Sequence, residues 1–193
     1  MKILQDSFYF DTKQDFIQWR LNEALFRLTK KINKNYESIA VICIGSDRLI
    51  GDCYGPLTGH MLSGCDLPGL KIYGTLQKPV HALTISDTLA KIDVQNTLCI
   101  AVDCSVGELD HVGFVGVSYE PVRPGSGVGK NLPEVGDISI TGIVASGGLG
   151  SFVNLQNAPL GMIYGIAEKT SKAIEYSYKM MQYLMPVKLI SNS

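Results

Sequence analysis

The sequence has no C-x-x-C pair and only three histidines. That removes the usual ligand spacings of a structural zinc site and of a thioredoxin-like redox centre. Its five cysteines, Cys43, Cys53, Cys65, Cys99 and Cys104, are odd in number, and Cys43 and Cys99 lie inside apolar runs. Free buried thiols in a reducing cytoplasm are expected. No apolar stretch approaches the roughly 18 to 20 residues that span a bilayer, so no membrane association is expected. The opening MKILQDSFYFD has neither an h-region nor a small-residue cleavage site, and no secretory signal is expected. Basic residues cluster only at Lys30, Lys31 and Lys34, and the formal net charge is −1. There is no electrostatic footprint for nucleic acid.

What is present reads as one α/β domain over residues 1–193, with a helix at about 11–33 and a core at 39–185. An apolar content of 46% and a charged content of 18% are those of an ordinary globular chain. Ile17, Leu21, Leu25, Leu28 and Ile32 recur at helical spacing from Asp11 to about Asn33, with Asp11 or Thr12 as the expected cap. Ile39 to Ile44 is a short run rich in β-branched residues that stops at Gly45, the pattern of a strand buried on both faces. A helix is predicted from Pro56 to Ser63, then strands at Leu70–Tyr73 and Thr97–Val102 with a short helix near Ser86–Ile92 between them. Val112–Tyr119 and Asp137–Ala145 read as the fourth and fifth strands. A long helix is predicted from Pro159 to about Leu184, and the tail after Pro186 as frayed. Strands alternating with helices predict a three-layer α/β/α sandwich around a mostly parallel sheet. Gly161, Gly165, Tyr164, Tyr176 and Tyr178 offer a contact for a second copy, or simply core packing.

The chemistry is expected where strands end, because open α/β sheets bind ligands beyond the carboxyl ends of their strands. The first strand leads into the loop carrying Asp47 and Asp52, and Thr97–Val102 is expected to end on Asp103. Two carboxylates converging there can share a proton and serve water as base and acid. Set further apart, they can hold a divalent metal, with His81 as a third ligand. Asp52 and Asp103 are therefore the candidate catalytic residues; His81, Asp47 and Gly142 are candidates for substrate binding. Asp137 would bring back a three-carboxylate metal site if it reached the same cleft. Cys104, next to Asp103, could be a nucleophile only beside a base, and alternation along a strand should point it away from Asp103.

Pro124 to Asn131 looks like a phosphate loop, but the Walker pattern needs Gly where Pro124 stands and Ser or Thr where Asn131 stands. A glycine-rich lid is the expectation for this segment instead.

The stretches ICIGSDRLIGDCYGPLTG, YGTLQKPVHA, IAVDCSVG and PGSGVGKNLPEVGDISITGIV, with the GG at 147–148, resemble the spore protein YyaC family of endospore-forming bacteria. That family is more distantly similar to the spore germination protease and the hydrogenase maturation endopeptidases. The resemblance implies a phosphorylase/hydrolase-like α/β/α fold and a cytoplasmic peptidase of the sporulating cell or spore. By motif position it implies catalytic roles for Asp52 (in G-D-x-x-G-P) and Asp103 (in V-D), an aspartic-type mechanism and a protein or peptide substrate. Metal-holding relatives carry a histidine after the second aspartate. His81 precedes Asp103 and His111 follows it too closely, so the metal-free version is preferred. A metal-dependent hydrolase and an inactive binding protein on the same fold stand as alternatives.

Overall fold

The computed structural model describes residues 7–125 and 132–184. Its elements run β1 (Ser7–Asp11), α1 (Ile17–Lys31), β2 (Ser38–Cys43), α2 (Tyr54–Ser63), β3 (Leu70–Tyr73), α3 (Ile85–Leu89), β4 (Thr97–Gly107), β5 (Phe114–Ser118), β6 (Ile138–Ser146), α4 (Ser151–Gln156) and α5 (Leu160–Leu184). The six strands form one mixed sheet in the order β1-β5-β6-β4-β2-β3. β3, β2, β4 and β6 are parallel to their neighbours in that series, and β5 runs antiparallel to both β6 and β1.

Alternation along the strands divides the core between the two faces of the sheet. Val41, Ile100, Val102, Val115 and Ile140 meet Leu21, Leu25 and Leu28 of α1 and Ile163, Ile166 and Ile174 of α5. Deleting the fully buried Leu25 side chain to Ala should cost about 2–5 kcal/mol. The opposite face is covered more thinly. Ala40, Ile42, Cys99 and Ala101 lie under Val80, Ile85 of α3, and Val122 and Val135. Val122 and Val135 exchange backbone hydrogen bonds at 2.9 Å, closing the neck of the glycine-rich segment. The lid expected there falls on residues 126–131, and the frayed tail on 185–193; both lie outside the described residues.

The predicted elements are present, with four differences. Residues 7–11 form a strand, because Phe8 and Phe10 alternate with Ser7 and Tyr9 and pair with β5. The first helix therefore starts later than expected, at Ile17. Asp11 accepts the Lys13 amide and Thr12 donates to the Gly113 carbonyl, so both shape the turn and neither caps the helix. β4 does not end at Asp103: pairing with β6 carries it to Gly107, across a bulge between Ser105 and Val106. The loop after Gly150 forms the short helix α4. In α5 the stripe Ile163, Ala167, Ile174, Tyr178 and Met181 is buried, and Leu160 at its start is exposed. The Tyr178 hydroxyl donates to the Pro68 carbonyl at 2.6 Å, which makes it a packing residue.

Candidate active site

The site is built at the carboxyl end of β2, where the backbone turns back on itself. Gly45 has φ 144°, and a Cβ there would collide with the Asp52 carbonyl. A Cβ on Gly55 would collide with the Ile44 carbonyl. Only residues without side chains allow the turn Gly51–Cys53 and the start of α2 to sit directly on the strand end. That seating fixes Asp52, and the Ser46 amide donates to the Asp52 carbonyl at 3.2 Å.

Asp103 enters from β4, opposite Thr141 of β6. Its Oδ1 accepts the Cys104 amide at 2.9 Å. The Cys104 thiol donates in turn to Asp52 Oδ1 at 3.4 Å. One residue thus joins the two carboxylates. Burial pushes the Asp103 carboxyl up, the charge of Asp52 pushes it further, and the Cys104 amide opposes both, leaving it at about 8. Asp52 is raised by burial and drawn back by the Cys104 thiol, the Ser46 amide and the charge of His81. The two carboxylates titrate as a coupled pair, in which burial and the charge of Asp52 make Asp103 hard to ionise.

Asp103 and Cys104 line a cavity of about 700 Å³, with Thr141, Glu120, Phe152 and Leu155 among the other walls. Asp52, half-buried, approaches it from beyond Cys104. The Cys104 thiol is pushed well above its ordinary value by burial and by the two aspartates, so it stays protonated. A thiol in that state is a hydrogen-bond donor and a poor nucleophile.

His81 belongs to this end of the sheet. Val80 bridges Ile44 and accepts the Gly45 amide at 2.8 Å, and His81 follows it with its Nδ1 accepting the Leu83 amide at 3.3 Å. Asp47 is exposed on the turn ahead of Asp52, at the rim. Gly142, expected at the substrate, is placed on the opposite face of the sheet. A Cβ there would press on the ring of Tyr54 at 2.9 Å, and Tyr54 is fully buried with its hydroxyl 2.7 Å from that of Thr170. Gly142 makes room for a core tyrosine. Asp137 lies at the other end of the strands, where it pairs with Lys34 at 2.9 Å and accepts the Cys99 amide at 2.8 Å. It does not join Asp52 and Asp103.

Among the described residues no group of three His, Cys, Asp or Glu is arranged to hold a metal ion. The histidine-plus-two-aspartate set weighed from the sequence does not fit that role. What sequence reasoning missed is the linking role of Cys104. The order Asp-Cys in IAVDCSVG carried the signal, since an amide following an aspartate can turn back onto its carboxylate.

The frame is a mixed α/β sheet with a parallel centre, with Asp103 inside β4 and Asp52 on the turn that follows β2. The chain belongs to the DUF1256 family of proteins of unknown function, whose model matches residues 9–173. It is 40% identical over 138 residues to the "Uncharacterized protein YyaC" of Bacillus subtilis (strain 168), covering 70% of this chain and 67% of that one. In architecture it is similar to the [NiFe] hydrogenase maturation protease HycI of Thermococcus kodakarensis KOD1. The TM-score is 0.50 and the identity 18%, with 79% of this chain and 99% of that chain covered. At that identity the likeness concerns the fold. Among the described residues no helix is long and apolar enough to cross a membrane.

Proposed function

We propose that this protein is a peptidase, with Asp52 and Asp103 activating a water molecule at a peptide carbonyl. The observation that carries the reading is the pair itself: two carboxylates joined through Cys104, Asp103 at the wall of a cavity and reached by the charge of Asp52. Asp52, ionised, takes the proton of the attacking water. Asp103, protonated, hydrogen-bonds the carbonyl oxygen as negative charge develops there, then delivers its proton to the leaving nitrogen. The raised Asp103 suits it to the acid role at neutral pH. His81, by its charge, favours the ionised form of Asp52 and so supports the same division of roles.

The substrate class is a protein or peptide, and the setting we assign is the cytoplasm of a sporulating cell or spore. The resemblance of the sequence motifs to a spore protein family suggests that setting; the HycI-like architecture supports a hydrolase. Incubating the protein with a pool of random-sequence octapeptides and reading new termini by mass spectrometry tests the reading. Wild type should cut, and Asp52→Asn and Asp103→Asn should each lose about 10²–10⁴-fold in rate while retaining the fold. Full turnover in either variant overturns it. Activity lost to chelation, with metal found in the purified protein, would move the assignment to a metal-dependent hydrolase.

A further inference from the structure

The face of the sheet that carries Asp103 is left open beyond β4. Directly paired residues on adjacent strands project to the same side, so Asp103, Thr141, Gly116 and Tyr9 form one row across four strands. Ala101, Ser139, Ser118 and Ser7 form the next row. α1 and α5 pack on the other face, against Val102, Ile140 and Val115. The cavity at Asp103 adjoins a second one of about 350 Å³, and the two share Ser105, Val106, Glu120, Pro121, Ser139 and Thr141. Together they make a trough that starts at Asp103 and ends under Tyr9.

Between Asp103 and Tyr9 the paired floor positions are Thr141, Gly116, Ser139, Ser118 and Ser7, with Val106, Ile143 and Glu120 also lining the trough. The Ser7 and Ser118 hydroxyls bond each other at 2.7 Å. Among the described residues, the hydroxyls of Ser105, Ser139 and Thr141 have no partner, and all three line the trough. Hydroxyls that both donate and accept match the alternating N–H and C=O of a polypeptide backbone. Three inter-strand spacings of about 4.8 Å give a run of roughly 14 Å, the length of about four extended residues. The Tyr9 ring closes the far end, lying on Gly116, where a Cβ would meet Cε1 at 2.9 Å.

We infer that the trough over β6, β5 and β1 is a binding site for an extended polypeptide, holding about four residues on one side of the bond presented to Asp103. This rests on the peptidase reading for its placement but is tested by binding. The hydroxyls bond the backbone, which makes the site tolerant of sequence, and Tyr9 stacks on the outermost residue.

The test uses the full chain carrying Asp103→Asn, labelled with ¹⁵N, and the same random octapeptide pool. Amide shifts are expected at Tyr9, Gly116, Ser118 and Thr141, with tenfold or greater weakening in Tyr9→Ala, a largely exposed side chain whose loss is checked for fold by circular dichroism. Ser118→Trp, checked for fold by circular dichroism, should fill the trough and weaken binding as much. Shifts confined to the neighbourhood of Asp52, or no shifts at all, overturn the inference. Cleavage by wild type without shifts on β5 and β1 overturns the trough and keeps the peptidase. Shifts on those strands without any cleavage keep the trough and overturn the peptidase.

Discussion

The Cys104 thiol donates to Asp52 at 3.4 Å, from the same residue whose amide donates to Asp103 at 2.9 Å. The two carboxylates are therefore held to one another through a single position of β4, and the asymmetry between them is built there. The thiol favours the ionised form of Asp52. Removing it should make Asp52 harder to ionise. Cys104→Ala is expected to move the acid limb of the pH–rate profile upward, since a hydrogen bond to the ionised carboxylate is lost. Cys104→Ser, which restores a donor, should move it back. A Cys104→Ala profile superimposable on wild type would show that the thiol does not position Asp52.

Asp103 has consequences for stability that run opposite to those of a salt-bridged aspartate. Its carboxyl titrates at about 8 in the folded protein and near 3.9 in an unfolded chain. Between those values the folded state binds the extra proton, so stability is full below the unfolded value and falls as pH rises toward 8. The slope is at most about 1.4 kcal/mol per pH unit, that of one proton. Asp103→Asn cannot ionise and should gain stability relative to wild type as pH is raised from 5 to 8. Denaturant unfolding across that range reads the difference; parallel curves would contradict it.

Tyr54 and Gly142 should behave as packing residues. Tyr54→Phe leaves the buried Thr170 hydroxyl without its partner at 2.7 Å, a cost of about 1–3 kcal/mol. Gly142→Val overfills the space under the Tyr54 ring, at about 1–3 kcal/mol or more. Both losses should appear in denaturant midpoints, with cleavage by the folded fraction retained. A Gly142→Val protein of normal stability that no longer cuts would place Gly142 at the substrate after all.

Asp137→Asn separates the two ends of β4 and β6. Asp137 faces Lys34 and the Cys99 amide, away from the Asp52–Asp103 pair. The variant should lose about 1–2 kcal/mol of stability from the weakened hydrogen bonds and keep its cleavage rate. Loss of cleavage comparable to that of Asp103→Asn would mean that this carboxylate takes part in the reaction.

The sheet and its long helices were legible because their residues repeat at the period of the structure. Ile39–Ile44 reads as a doubly buried strand, and Ile163 through Met181 as one face of α5. β1 is hidden by its length: Ser7–Asp11 alternates correctly, but only five residues precede the helical pattern, whose expected start at Asp11 takes the last of them and leaves the others unassigned. Asp103 was found, yet its strand was cut short, since a carboxylate reads as a strand end unless pairing on the far side is known. Gly142 could not be assigned from sequence, because which face a strand glycine opens depends on the ring that fills it. Only half of the role of Cys104 is legible: the Asp-Cys order signals the amide contact to Asp103, but the thiol's partner lies 52 positions away.

The central claim is that burial and the charge of Asp52 keep Asp103 protonated, and carboxyl ¹³C titration by NMR tests it most directly, in wild type and in Asp52→Asn. The account predicts that Asp103 titrates near 8 in wild type, after Asp52, and moves downward once the neighbouring charge is removed. An Asp103 that titrates near 4, as an isolated carboxylate does, or one unmoved by Asp52→Asn, would contradict it.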